Sequence, residues 1–233
     1  MPALPSTDEL GIVLLSLRVA LVAVALMLAP GIACAWLLAR REFVGKTLVD
    51  AFVHLPLVLP PVVVGYLLLR LLGRSGPLGR LLHDRFDVDV AFTWKAAALA
   101  AAVMGFPLLV RAVRLAIEAV DPRLEHAART LGANGWRVFA TITLPLALPG
   151  VCAGVLLAFA RALGEFGATI TFAGNIPGST RTLPSAIYTA TQVPGGDELA
   201  TRLAVISIAV SFVALAGGEI LSRRMRRRFG SAA

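Results

Sequence analysis

The chain has 233 residues, of which 58% are hydrophobic and only 15% charged, with a mean hydropathy of +0.81. The apolar residues are gathered into long runs rather than dispersed at helix or strand period, so lipid rather than water is the solvent they suit. The formal net charge of +8 lies in clusters beside apolar runs, where it sets membrane topology, and no basic–aromatic motif accompanies it, which excludes nucleic acid as a partner.

Along the chain, Met1 to Glu9 holds no Lys or Arg and carries Asp8 and Glu9. It lacks the basic start of a cleaved signal peptide, and the first apolar segment is expected to stay in the mature protein. A bilayer core of about 30 Å takes about 20 helical residues to cross. Five stretches meet that length: Gly11–Leu38, Leu48–Leu72, Ala91–Val110, Leu146–Gly174 and Ala200–Leu221. Backbone amides in lipid must be satisfied within the segment, so these are helices. A sixth, short or re-entrant, element between Gly174 and Ala200 is left open. Cys34 and Cys152 lie apart inside apolar runs, as small hydrophobes do, with neither zinc-site nor disulfide spacing.

The second span contains Pro56, Pro60 and Pro61. Each removes an amide donor and bends or breaks the helix, which a membrane tolerates where protein or water covers the freed carbonyls. Discontinuous helices of this kind line translocation paths, and Pro60 and Pro61 are candidates for one; a merely bent packing helix is the alternative. Gly105-Phe106-Pro107 predicts a similar weak point in the third span.

Between the third and fourth spans, Asp121 to Pro145 is too polar to cross. Asp121 and Pro122 make a helix start, N-cap then first-turn proline. Leu124, Ala127, Ala128 and Leu131 share one stripe, and Gly132-Ala-Asn-Gly135 breaks the helix. A second short turn follows, with Trp136, Phe139, Ala140 and Thr143 on one face, and Pro145 is expected to end it. Either the two helices lie in the interface plane or they present an apolar ridge to a partner groove.

In the fourth span, Arg161 and Glu165 are one helical turn apart and can pair. A charge in a membrane needs a partner or water. The pair reads as a structural clamp in preference to a part of the aqueous pathway. Thr169, Thr171 and Asn175 could offer neutral hydrogen-bond donors to a pathway, or serve packing and capping. Thirteen Lys and Arg fall on the side holding the Asp121–Pro145 loop and the tail Arg223–Arg228, against eight on the other. The positive-inside rule puts the amino terminus outside and the carboxyl terminus, residues 223–233, in the cytoplasm, where the basic run anchors against anionic lipid.

The spacing Ala127-Ala128, three residues, Gly132, nine residues, Ile142-Thr-Leu-Pro145 resembles the EAA loop of ABC importer permeases. His126 stands where that pattern has glutamate, and Glu125 sits one place earlier. The resemblance implies a type I ABC importer permease fold, an all-α integral membrane domain over residues 1–233. It implies that the loop is a cytoplasmic coupling helix docking into a separate ATP-binding subunit through Leu124, Glu125, His126, Ala127, Ala128, Leu131 and Gly132. No GxxxxGK[ST] phosphate loop is present, so the chain is expected to hydrolyse no ATP and to bind no cofactor, ATP and Mg²⁺ belonging to the partner.

Leu55-Pro-Leu-Val-Leu-Pro-Pro61, Arg161-Ala-Leu-Gly-Glu-Phe-Gly167, Gly174-Asn-Ile-Pro-Gly178 and Thr182-Leu-Pro-Ser-Ala-Ile-Tyr188 resemble the molybdate permease subfamily. Tungstate and sulfate permeases share the Arg-x-x-Gly-Glu-Phe-Gly core. The implied partners are a second copy of the chain, two ATP-binding cassette subunits, an extracytoplasmic molybdate-binding protein and membrane lipid. A stand-alone channel or secondary transporter is the rival from another class; it would need internal repeats or several intramembrane charges.

Overall fold

The structure, a computed structural model, describes residues 7–229, with side chains over 8–220. Arg223–Arg228 continue the last helix, and the anchoring expected of their side chains lies outside the described residues. The described residues form helices and no strand. These are α1 (Thr7–Arg40), α2 (Lys46–Val58), α3 (Pro61–Leu72), α4 (Pro77–Phe86), α5 (Trp94–Glu118), α6 (Pro122–Thr130), α7 (Gly135–Val138), α8 (Leu144–Leu163), α9 (Gly167–Phe172), α10 (Leu183–Thr191) and α11 (Asp197–Phe229). Four continuous helical segments are long and apolar enough to cross a membrane: Asp8–Arg40, Trp94–Glu118, Gly135–Leu163 and Asp197–Ile220. The pair α2 and α3 would make a fifth crossing, but it is bent by 112°.

Helix α5 is the centre, and its sequence explains why. Ala96, Ala97, Ala98, Ala100, Ala101 and Ala102 are buried around most of its circumference, with Leu99, Val103 and Phe106 half-buried on the remaining face, so α1, α8 and α9 approach it closely. In lipid, where apolar contact with a neighbour gains little over contact with acyl chains, such small-residue approach supplies dispersion packing. One close approach is Gly150-x-x-x-Gly154 of α8 on Ala112 and Ala116 of α5. A Cβ on Gly150 would lie 2.2 Å from that of Ala116, and one on Gly154 3.1 Å from that of Ala112.

Three boundaries differ from the sequence expectation. The third span runs unbroken from Trp94 to Glu118 with Pro107 inside it; Pro107 is buried among packed neighbours that hold the helix through the missing amide, so Gly105-Phe106-Pro107 is not a break. Pro145 does not end the second loop helix. Phe139–Thr143 form a π-helical turn that joins α7 to α8. That wider turn relieves the clash of the Pro145 ring with the preceding turn, and the helix continues to Leu163. The fourth span, expected to reach Gly174, stops at Leu163, and α9 restarts at Gly167.

The α2–α3 corner is the bend expected at the prolines, made sharper. Pro56 is carried inside α2, and the break falls at Leu59 (φ −69°, ψ 143°) and Pro60 (φ −54°, ψ 131°). A proline pushes the residue before it into extended backbone, and two in succession extend two residues. Between Gly174 and Ala200 the element left open is α10, nine residues long. At 1.5 Å per residue it spans about 14 Å, too short to cross. It is pinned by Ser16 of α1, whose Oγ accepts from the Leu183 amide at 2.8 Å, and by packing of Leu183 and Ala186 on Leu203 of α11.

Candidate functional site

Helix α6 and its flanks form a capped projection at one end of the bundle. The Asp121 carboxylate accepts from the Arg123 amide at 2.9 Å, and Pro122 occupies the first turn. The helix closes through Gly132, with φ at +85°. The Gly132 amide donates to Arg129 and the Ala133 amide to Ala128, both at 3.0 Å. This is a Schellman end, in which glycine takes the left-handed conformation at no steric cost. Asn134 then caps α7 by accepting from the Arg137 amide at 2.8 Å. Two short helices that would be marginal alone are thus fixed at three of their ends.

The two flanks of α6 differ. Leu124, Ala127 and Leu131 are exposed on one side, Leu131 at 88%, and Trp136 stands exposed just beyond them. His126 is also exposed, and Ala128 is half-buried behind the ridge. An apolar ridge on a capped helix, standing clear of the bundle, has the shape of a docking element.

Glu125 is not part of that ridge. One helical step turns a side chain by about 100°, and Glu125 points back into the protein, 5% exposed. Its Oε1 accepts from Arg40 Nε at 3.0 Å and from the Thr143 hydroxyl at 2.8 Å. Arg40 Nη2 also donates to the Val120 carbonyl at 2.9 Å. A single carboxylate thereby ties α6 to the end of α1 and to the π turn that opens α8. Glu125, named with the coupling residues on the resemblance, faces the bundle and acts as an internal lock. Neither Arg40 nor the Thr143 hydroxyl is marked for this role in the sequence, lying 85 and 18 residues from Glu125. Their separation in sequence leaves no local signal.

The second polar feature sits where two helix breaks meet. Arg161 and Glu165 form an ion pair. Glu165, 2% exposed, also accepts from the Ala168 amide at 2.8 Å through Oε1. It therefore bridges the end of α8 and a first-turn amide of α9 that has no partner within the helix, as a carboxylate at a helix start does. The clamp is local to this corner and does not fasten separate spans. The corner presses on the α2–α3 break: a Cβ on Gly65 would lie 2.5 Å from the Ala168 carbonyl, and one on Gly167 2.7 Å from the Pro61 ring. Only glycine permits this crossing.

Of the pathway candidates, Pro60 is exposed at the apex of the α2–α3 corner and Pro61 is half-buried beneath it. Thr169 is buried within the α9 packing, so it faces no open surface of the protomer. Thr171 donates back to the Gly167 carbonyl at 3.0 Å and touches the Gly65 backbone. Asn175 donates to Thr189 Oγ1 at 2.7 Å and accepts from Arg181 Nε at 3.0 Å. Its amide fastens the 174–182 loop to α10. The last two threonines and this asparagine thus all have structural duties, and the open apolar face around the corner belongs to Phe52, Val58, Val62, Tyr66 and Leu67.

Comparison with known proteins joins this geometry. Residues 31–227 match the family model described as "Binding-protein-dependent transport system inner membrane component". The chain is 62% identical over 218 residues to the molybdenum transport system permease protein ModB of Escherichia coli (strain K12), covering 94% of this chain and 95% of that one. It is 53% identical over 222 residues to ModB of Haemophilus influenzae, covering 95% and 97%. A sulfate transport system permease protein, CysT of Escherichia coli, is 39% identical over 198 residues, covering 85% of this chain and 71% of that one. In three dimensions the chain is similar to a chain of the MetNI methionine ABC transporter in an inward-facing conformation. The TM-score is 0.72 at 16% identity, with 95% and 99% covered, a likeness of fold.

Proposed function

The chain belongs to the family of binding-protein-dependent transport system inner membrane components, and on that premise we propose that it is the membrane-spanning subunit of a molybdate importer. The observation that carries the transport reading is the exposed ridge Leu124, Ala127 and Leu131 on a helix locked into the bundle from behind. Likeness to the molybdenum permeases over nearly the whole chain carries the cargo. The sulfate relative makes sulfate, with tungstate, the second reading, supported at lower identity.

In this reading two copies face each other across the α2–α3 corners, whose exposed Phe52, Val58 and Val62 would otherwise be left to lipid. The pathway runs at the two-fold axis. Two ATP-binding cassette subunits hold ATP and Mg²⁺ and receive the α6 ridges, the chain having no phosphate loop of its own. His126 and Ala128 flank that contact, and Gly132 sets its end. An extracytoplasmic molybdate-binding protein delivers the anion at the opposite face, the amino terminus lying outside and the carboxyl terminus in the cytoplasm.

ATP binding draws the two ridges together. Because Glu125 joins α6 to both Arg40 of α1 and Thr143 at the head of α8, the movement reaches two crossing helices rather than dissipating in a loop. A coupling claim needs an element that both sites bias, and the lock supplies the connection. Selection of the anion falls to the binding protein, since a dianion needs a desolvated ring of donors and the described pathway residues spend theirs internally.

The test is uptake of labelled molybdate into proteoliposomes holding the permease, its ATP-binding subunit and the binding protein. Excess tungstate should compete strongly and excess sulfate weakly. Uptake of sulfate in preference to molybdate would overturn the cargo assignment while leaving the transport reading in place.

A further inference from the structure

On the opposite flank of α6 from the ridge lies an apolar groove of about 630 Å³ between the last turns of α1 and the head of α8. Ala29 and Ala33 line it from α1, and Trp36 and Phe139 wall it edge to face, with ring centroids 6.1 Å apart. Arg41 and Arg129 stand at its mouth. Among the described residues neither guanidinium has a carboxylate partner; Arg41 lies over the Trp36 ring, 5.6 Å from its centroid. The neighbouring acids are already engaged, Glu42 by Lys46 at 2.6 Å and Glu125 by Arg40 at 3.0 Å.

We propose that this groove binds one anionic glycerophospholipid, an acyl chain lying along Ala29–Trp36 and the phosphate held between Arg41 and Arg129. Three observations select that occupant. The walls from Ala29 to Trp36 belong to a bilayer-crossing segment of α1, so entry is from the lipid. From Ala29 to Arg41 is about 18 Å at 1.5 Å per residue, close to one leaflet of a core about 30 Å thick. The mouth is aromatic and doubly cationic, the combination found at headgroup level. Arg129 is five helical steps from Leu124, which places it about 140° around α6, so the lipid leaves Leu124, Ala127 and Leu131 free, while Trp136, just beyond that ridge, forms part of the groove wall. The site bridges α1 and α6, the same two elements that Glu125 joins. It requires that α1 cross a bilayer and does not depend on the cargo.

Native mass spectrometry of the intact transporter, released from detergent after incubation with phosphatidylglycerol or phosphatidylcholine, tests the site. Wild type should retain phosphatidylglycerol about tenfold or more over phosphatidylcholine, as two basic contacts at the surface imply. Arg41→Gln with Arg129→Gln should erase that preference while ATP-binding subunits remain bound. Ala33→Trp, which fills the groove from an exposed position, should cut retention of both lipids. Equal retention of the two lipids by wild type, or an unchanged preference in the double variant, overturns the proposal. So does cross-linking of Ala33→Cys to a second copy or to the ATP-binding subunit, which would show the groove covered by protein.

Discussion

Glu125 and Glu165 are two buried carboxylates, each neutralised by an arginine, and they do different things. Glu165 pairs with Arg161 four residues away and accepts from the Ala168 amide three residues later, in the first turn of α9; both of its polar partners are local, and its loss would loosen one corner. Glu125 pairs with Arg40, 85 residues away, and accepts from Thr143, 18 residues away. It holds a surface helix to two membrane helices. The same chemistry serves as a rivet in one place and a strut in the other, and only reach distinguishes them. In the proposed reading the strut at the foot of α6 is where motion would enter the bundle, whereas the rivet ties the two sides of a helix break together.

The largest effect is expected at the rivet. Glu165→Ala leaves Arg161 unpaired, and breaking a buried pair costs about 3–5 kcal/mol. Thermal denaturation in detergent should show a large loss, with little folded protein recovered. Arg161→Met combined with Glu165→Gln, which keeps an acceptor for the Ala168 amide, should restore most of it. Unchanged stability in Glu165→Ala would mean a hydrated carboxylate and return this pair to the pathway.

At the strut, Glu125→Ala strands the Thr143 hydroxyl and Arg40, although Arg40 keeps the Val120 carbonyl, so about 2–3 kcal/mol is expected. The distinguishing readout is functional: stimulation of ATP hydrolysis by loaded binding protein should fall further than stability does. A double-mutant cycle of Arg40→Gln and Glu125→Gln should give a coupling of about 1–2 kcal/mol. Additive effects would break the comparison.

Smaller changes sharpen it. Gly132→Ala forces a side chain into positive φ and should cost about 1 kcal/mol, confined to α6, readable as faster amide exchange over 128–133. His126→Ala, one step from Glu125 but exposed, should stay within about 0.5 kcal/mol by the same denaturation measurement. A loss as large as that of Glu125→Ala would mean that the two positions share one role.

The contrast also explains what the sequence alone reveals. The Arg161–Glu165 pair is legible because i and i+4 share a helix face, and the Asp121-Pro122 start and Gly132 stop because caps are local chemistry. The α2–α3 corner is legible as two adjacent prolines, though not its angle. The partners of Glu125 are not legible, because stripe periodicity cannot tell which flank of a short helix meets the bundle; that depends on Arg40, fixed by tertiary packing. Pro107 and Pro145 fail as breaks for a related reason: neighbours around α5 and a π turn before α8 supply what the missing amides remove. Gly150-x-x-x-Gly154 on Ala112 and Ala116 was available as a small-residue pattern, but its partner face emerges only when the helices are packed.

The α6 ridge is the proposed entry for energy from a separate ATP-binding subunit. Leu131→Asp tests it most directly, because Leu131 is 88% exposed and its change should leave the fold intact. The measurement is molybdate uptake by proteoliposomes, with the ATP-binding subunit quantified in the purified complex. Normal membrane insertion, loss of the bound ATP-binding subunit and loss of uptake are expected. A wild-type subunit ratio with wild-type uptake would contradict it.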